Sequence, residues 1–317
     1  MSGLWEMVTD PFMQRALVAA LLVGVSAPVV GTYLVQKRLA LLGDGIGHVA
    51  LTGVALGWLV GAATGVVPDD ALAIPGAVVA AVLGAVAIEV VRERGRTSGD
   101  LALALLFYGG IAGGVLLIGL GGGSSGSLMQ YLFGSISTVT PPDLALTVVL
   151  SVVILLVGLG LRAALFSVSH DEEFARASGL PVRTLNVAVA VVAALTVTVS
   201  MRVVGLLLVS ALMIVPVAVA QLVTRSFRRT MLVASVVGVV VCVLGLSFTY
   251  WNNVSPGAAI VVLAIATYLV VAVLRPLWVR RRPRVARDPH PDIPDDLELD
   301  LVPSGANRTT GGDSCSA

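Results

Sequence analysis

The feature that most constrains this chain is a series of apolar runs, each of roughly 20 residues, that recurs along almost its whole length. A helix of that length crosses the ~30 Å hydrocarbon layer of a bilayer. Of the 317 residues, 57% are hydrophobic and 12% are charged, and the mean hydropathy is +0.97, values that a soluble globular domain does not show. We therefore predict an all-α polytopic membrane protein.

Glycine, proline and charged residues divide the apolar sequence into about nine predicted membrane spans. Their predicted bounds are 12–36, 46–66, 72–91, 101–120, 143–165, 184–200, 203–224, 231–250 and 256–275. Between the fourth and fifth spans, residues 121–142 predict an outward loop with a short re-entrant or interfacial helix around 128–135. Residues 1–279 are predicted to form the transmembrane domain, and 280–317, rich in Pro, Asp, Gly and Ser, a disordered tail.

Basic residues fall on alternate loops, and their distribution predicts the orientation. With the N-terminus outside, the inward segments hold Lys37, Arg38, Arg92, Arg94, Arg96, Arg162, Arg176, Arg183, Arg225, Arg228, Arg229 and the run 275–287. Before the tail, only Arg15 and Arg202 fall on the other side. The predicted location is thus the plasma membrane, with several crossings and a cytoplasmic C-terminus.

Ionisable side chains inside membrane helices cost about 2.5–3.5 kcal/mol at the bilayer centre, so the few that occur are functional candidates. Asp44 and His48 lie four residues apart at the start of the second span, on one helix face. A carboxylate and an imidazole suit Zn, Mn or Fe, and the flanking glycines allow close backbone approach. The alternative is that Asp44 only caps the helix and His48 is a satisfied core residue.

Residues 167–185 predict a short surface helix between the fifth and sixth spans. Ser169 and Glu172 have capping-box spacing, Glu172 and Arg176 are four residues apart, and Gly179 followed by Pro181 predicts the end of the helix. This helix is either a solvated connection or a docking element, and the capping pattern fits both.

The span 203–224 contains three further candidate residues. Pro216 predicts a kink, and Met213 and Gln221 face either a transport pathway or a neighbouring helix. For Met213, packing is the preferred interpretation.

Two catalytic interpretations are weak. Ser124, in the sequence Gly-Ser-Ser-Gly, matches a short pattern of intramembrane serine proteases, but such matches in Gly/Ser-rich loops are common. The only lysine is Lys37, and no glycine-rich loop precedes it, so the chain has no P-loop for ATP hydrolysis. Any energy from ATP must therefore come from a partner protein.

The sequence resembles the membrane permeases of zinc, manganese and iron ABC importers, the ABC-3 family, over residues 12 to about 275. The resemblance depends on LALLGDGIGHVALTGVALG at 39–57, YLFGSI at 131–136, EEFARASGLP at 172–181 and VGLLLVSALMIVPVAVAQ at 204–221. One departure is Asn252-Asn253 before Pro256, where many relatives carry an aspartate.

This resemblance implies a fold like that of type II ABC importer permeases, with a cytoplasmic coupling helix. It implies a transport subunit rather than an enzyme, working as a homodimer that passes a divalent metal ion by alternating access, with no permanently bound cofactor and no nucleic-acid partner. Asp44 and His48 would bind the ion. An extracytoplasmic metal-binding protein would deliver it, and a cytoplasmic ABC ATPase would dock on the 169–180 helix. The implied coupling residues are Ser169, Asp171, Glu172, Glu173, Phe174, Arg176 and Gly179.

Two other classes stay open from the residues alone. A secondary metal-ion transporter would need no ATPase, and an intramembrane protease would use Ser124. The residues do not identify the metal, because Asp and His accept zinc, manganese and iron alike.

Overall fold

The computed structural model describes residues 7, 9–65, 71–94, 99–120, 132–134, 140–201, 205–252 and 254–280. Within these ranges all regular structure is helical. The helices are α1 (Pro11–Gln36), α2 (Leu42–Thr64), α3 (Ala73–Glu93), α4 (Gly99–Leu120), α5 (Pro141–Gly160), α6 (Arg162–His170), α7 (Glu172–Ala177), α8 (Val182–Met201), α9 (Leu206–Val223), α10 (Phe227–Trp251) and α11 (Pro256–Arg280).

Eight helices of the described chain are long and apolar enough to cross a membrane, and α9 has a shorter apolar part, Val209–Val223. These helices correspond to the predicted spans, so the all-α polytopic fold is confirmed. The fifth span ends earlier than predicted. It stops at Gly160, and a separate helix, α6, begins at Arg162.

Helices α1 and α8 form the centre of the bundle, and most of their membrane-spanning residues are buried. Helix α1 packs against α5, α8, α9 and α10, whereas α2 packs against α3 and α4. Helices α4, α5 and α11 expose most of their apolar surface. This compact unit covers Met1–Pro276, and Leu277–Ala317 is a separate unit. The predicted tail lies outside the described residues, apart from Arg280.

Small residues set how closely the central helices approach. A Cβ built on Gly31 of α1 would overlap the backbone carbonyl of Met213 on α9. Backbone cannot move aside as a flexible side chain can, so this contact requires glycine. The approach brings the middle of α9 against α1 and places Met213 beside the first turn of α2.

We expect Gly31→Ala to destabilise the subunit by about 1–3 kcal/mol, because the added methyl group forces α1 and α9 apart. Thermal unfolding of the detergent-solubilised protein, followed by size-exclusion chromatography, measures this. Gly119→Ala is the matched control, since a Cβ there meets nothing within 4 Å. Alanine also favours a helix over glycine. Equal thermal stability of the Gly31→Ala variant and the wild type would contradict the packing argument.

Candidate functional site

Asp44 and His48 lie in the first two turns of α2 and are close to each other. His48 Nε2 is 4.0 Å from Asp44 Oδ1, and their side chains are 7% and 28% exposed. The distance is too long for a hydrogen bond. Two ligand atoms that each lie about 2.1 Å from one metal ion can be at most about 4.2 Å apart, so the pair is within reach of a shared cation.

Glycines allow neighbouring helices to close around this pair. A Cβ on Gly45 would lie 2.9 Å from Leu103 Cδ1 of α4, and one on Gly47 would lie 3.2 Å from Leu206 Cδ1 of α9. Gly110 of α4 packs against the His48 backbone, where a Cβ would be 2.6 Å from the carbonyl carbon. The glycines around Asp44 therefore meet side-chain ends, and the close backbone approach occurs instead at Gly110.

The His48 ring is buried, and one of its nitrogens has no hydrogen-bond partner. Phe107 of α4 meets the ring edge-on, with centroids 4.5 Å apart and an interplanar angle of 80°. Nδ1 is buried without a partner among the described residues. A satisfied core histidine would have both nitrogens paired, so the His48 environment argues against that alternative.

Asp44 lies well inside the bundle rather than at its edge. Ser210 Oγ of α9 donates a hydrogen bond to Asp44 Oδ1 at 3.4 Å. Thirteen residues separate Ser210 from the end of α9 at Val223, about 20 Å of helix at 1.5 Å per residue. The N-cap of α2 is Leu41, which has no side-chain cap hydrogen bond. The carboxylate thus contacts α9 inside the helical bundle and is partly exposed.

Ser210 is a residue of this site that sequence reasoning missed. Together with Gln221 it is one of two hydrogen-bonding side chains in the sequence of α9. A lone hydroxyl in an apolar run was therefore the available signal, but nothing in the spacing connects α9 with α2.

One chain supplies only part of a complete ligand set. Among the described residues, no group of three or more His, Cys, Asp or Glu side chains could hold a metal ion. Asp44 and His48 are two ligands, fewer than the four of a typical transition-metal site.

The three candidates on α9 lie in different surroundings. Met213 is 1% exposed and packs between Gly31 and Gly43, which agrees with the packing interpretation. Pro216 is buried, and α9 continues through it. Gln221 is exposed near the end of the helix. Roles of these residues in a pathway stay predictions.

The predicted surface helix is α7, but its capping was predicted wrongly. Its N-cap is Asp171, whose Oδ1 accepts a hydrogen bond from Phe174 N at 2.9 Å. Ser169 instead lies buried inside α6, and its hydroxyl has no partner among the described residues. The chain kinks at Asp171, so Asp171 caps α7 in place of Ser169. The predicted end is confirmed, since Gly179 has φ of 79° and follows the last turn.

Helix α7 presents an exposed face. Phe174 is 64% exposed, and Glu173, Arg176 and Gly179 are also exposed. Glu172 turns inward instead, and its Oε1 accepts from Asn186 Nδ2 of α8 at 3.1 Å and lies 3.5 Å from Lys37 Nζ. One face of α7 is therefore exposed, and Glu172 provides its polar contacts with α1 and α8.

Several predicted features lie outside the described residues. These are Ser124, Asn253 and the re-entrant segment around 128–135, of which only residues 132–134 are described. Asn252 is described, and its side chain donates to the Phe248 carbonyl at 2.9 Å.

Comparison with known proteins gives consistent matches. The chain matches the ABC 3 transport family over residues 9–275. It is 30% identical to the manganese transport system membrane protein MntC of Halalkalibacterium halodurans, over 82% of this chain and 86% of that protein. It is 33% identical to the chelated iron transport system membrane protein YfeD of Yersinia pestis, over 86% and 90%.

Two solved structures share the fold. PsaBC from Streptococcus pneumoniae, in complex with Fab, aligns with a TM-score of 0.73 and 31% identity, covering 84% of this chain and 92% of that one. A metal-chelate type ABC transporter in an inward-facing conformation aligns with a TM-score of 0.56 and 19% identity, covering 89% and 91%. The second likeness concerns the fold alone.

The helical bundle and these likenesses define a multi-pass membrane transport protein. The chain belongs to the ABC 3 transport family, the ABC-importer permeases that its sequence motifs resemble.

On the hypothesis that Asp44 and His48 bind a divalent metal ion, with Mn²⁺ as the probe, we expect Ser210→Ala to weaken binding several-fold and by less than about tenfold, or 1.4 kcal/mol. The hydroxyl hydrogen bond helps to orient the Asp44 carboxylate, but at 3.4 Å it is long. Equilibrium Mn²⁺ binding to the purified protein measures the change. Ser235→Ala is the control, because Ser235 Oγ bonds backbone carbonyls of α1 and α10. A loss as large as that caused by Asp44→Asn would show that Ser210 is itself a ligand.

Proposed function

We propose that this protein is the channel-forming permease subunit of an ATP-driven importer of divalent transition metal ions, working by alternating access as a homodimer. The observation that carries the proposal is the pairing of a partly exposed carboxylate and a buried imidazole, whose nearest atoms are 4.0 Å apart, on a membrane-spanning helix. Such groups are costly in an apolar bundle unless they are paired or face a polar pathway.

The incomplete ligand set among the described residues supports a homodimer. Two chains related by a two-fold axis would contribute two carboxylates and two imidazoles, up to four N/O ligands. These ligands suit manganese, iron and zinc, and such a set without thiolates favours release over permanent capture. The relatives' names support manganese or iron as cargo. Selectivity between them would come from an extracytoplasmic metal-binding protein that delivers the ion.

Energy would come from a separate ABC ATPase docked on α7. The exposed Phe174 is an apolar anchor on a short helix with charged neighbours, which fits a protein interface. At the end of the bundle where α7 lies, Lys37 after α1 contacts Glu172 of α7, and Arg183 in the first turn of α8 pairs with Glu93 at the end of α3. By the positive-inside rule that end is cytoplasmic. Family membership favours this mechanism over a secondary transporter.

We expect Asp44→Asn and His48→Ala each to reduce ATP-driven Mn²⁺ uptake at least tenfold, because each removes one ligand from both halves of the dimeric site. Uptake of Mn²⁺ into proteoliposomes containing the whole complex measures this. Asp10→Asn is the matched control: it makes the same chemical change at the N-cap of α1, where asparagine caps equally well. Unchanged uptake in both site variants, at normal membrane levels, would remove the site assignment.

We expect Phe174→Ala to weaken binding of the ATPase by more than about 1 kcal/mol, roughly fivefold, because a large apolar side chain leaves the interface. Co-purification and titration of the ATPase against the solubilised permease measure it. Phe12→Ala removes a phenylalanine of similar exposure, 54% against 64%, from the first turn of α1, and should leave binding unchanged. Equal effects of the two variants would place the docking surface elsewhere.

A further inference from the structure

Lys37 is the only lysine of the chain, and its side chain is 5% exposed. It follows the last residue of α1, and its Nζ donates to Asn186 Oδ1 of α8 and lies 3.5 Å from Glu172 Oε1 of α7. Burying an ammonium group is costly unless it is paired, and burial lowers the pKa of Lys37 while the Glu172 carboxylate opposes that shift. The burial of the Lys37 ammonium group is therefore tolerated because Asn186 and Glu172 pair with it.

The contact matters because α7 has little else that holds it to the bundle. Ala175 is its only buried residue, and the other residues of α7 except Glu172 are exposed. Besides its contact with Lys37, Glu172 Oε1 accepts a hydrogen bond from Asn186 Nδ2 at 3.1 Å. Beside this cluster, Gln36 Nε2 lies 2.9 Å from His170 Nδ1, one residue before the cap of α7. The end of α1 is thus joined to both sides of the kink at Asp171.

From Lys37 the chain runs to the metal-site helix through a closed turn. Arg38 has a φ of 58°, and Leu39 N donates back to the Leu34 carbonyl at 2.8 Å. Leu42 N then donates to the Leu39 carbonyl at 3.0 Å, and α2 begins. Asp44 lies only seven residues after Lys37. A displacement of Lys37 would therefore move the first turn of α2 with little slack.

We propose that Lys37 is a positioning residue that transmits movement of α7 to the metal site, by holding the docking helix and the turn before α2 together throughout the transport cycle. The inference rests on the proposed function. It adds a definite mechanical link, Glu172 to Lys37 to Asp44, between the ATPase surface and the ligands.

The test compares Lys37→Met with the wild type in the whole complex, reconstituted in proteoliposomes. We expect the variant to bind the ATPase normally and to hydrolyse ATP, while the number of Mn²⁺ ions transported per ATP falls at least tenfold. A purely structural role would lower hydrolysis and uptake together. A ratio within twofold of the wild type, or loss of ATPase binding, would overturn the proposal.

Two further variants test whether the effect is specific to the Lys37–Glu172 contact. Exchanging the partners, Lys37→Glu with Glu172→Lys, should recover part of the lost Mn²⁺ transport per ATP. The Asn186 amide can both donate and accept hydrogen bonds, so it can pair with either arrangement. Arg183→Gln breaks another ion pair, 2.9 Å from Glu93, that joins α8 to α3 without touching α7. The Arg183→Gln variant should transport the same number of Mn²⁺ ions per ATP as the wild type. An equal fall in the Arg183→Gln ratio would overturn the specific link.

Labelling of the wild type does not depend on any variant folding. Since Lys37 is the only lysine, an amine-reactive reagent followed by peptide mass spectrometry reports its accessibility directly. We expect protection with and without a non-hydrolysable ATP analogue. Modification of Lys37 that appears on adding the analogue would show that the Lys37–Glu172 contact opens, and this would overturn the proposal. Absence of ATP-driven Mn²⁺ uptake in the wild type would instead overturn the proposed function.

Discussion

The cost of placing polar groups in an apolar bundle is the constraint on which this structure depends. In the hydrocarbon of a membrane each unpaired donor or acceptor costs several kcal/mol, so polar side chains there favour partners or a polar pathway. Most hydroxyls of the spanning helices meet the requirement locally, as Thr32, Thr196 and Thr198 do by donating to the carbonyl four residues earlier. Ser151 and Ser200 are also buried without partners among the described residues, so a missing partner alone does not distinguish His48. What distinguishes the site is a carboxylate and an imidazole whose nearest atoms are 4.0 Å apart.

The same constraint explains what the sequence could predict. Apolar runs of spanning length follow directly from bilayer thickness, so the spans and the all-helical fold were predictable. Asp44 and His48 were identifiable because charge in such runs is rare. The end of α7 at Gly179 was also predictable, since a left-handed residue there favours glycine.

The errors have a common physical origin in tertiary structure. Capping was assigned to Ser169 because local spacing cannot show that α6 buries that residue and that the kink falls at Asp171. Ser210 and Lys37 act through contacts with residues 166 and 135 positions away. No periodicity in one sequence encodes those distances. The position of α9 beside Asp44 likewise depends on its close contact with α1 at Gly31, and in the sequence that contact is marked only by a glycine.

The incomplete ligand set has a consequence for how the membrane stays sealed. On the proposed function, a newly inserted copy has half of the coordinating atoms, and an ion entering it would exchange its hydration shell for too few protein ligands. Solitary copies would therefore conduct poorly, and competence would arise only on pairing. Assembly itself then acts as a safeguard against metal leakage, without any dedicated plug.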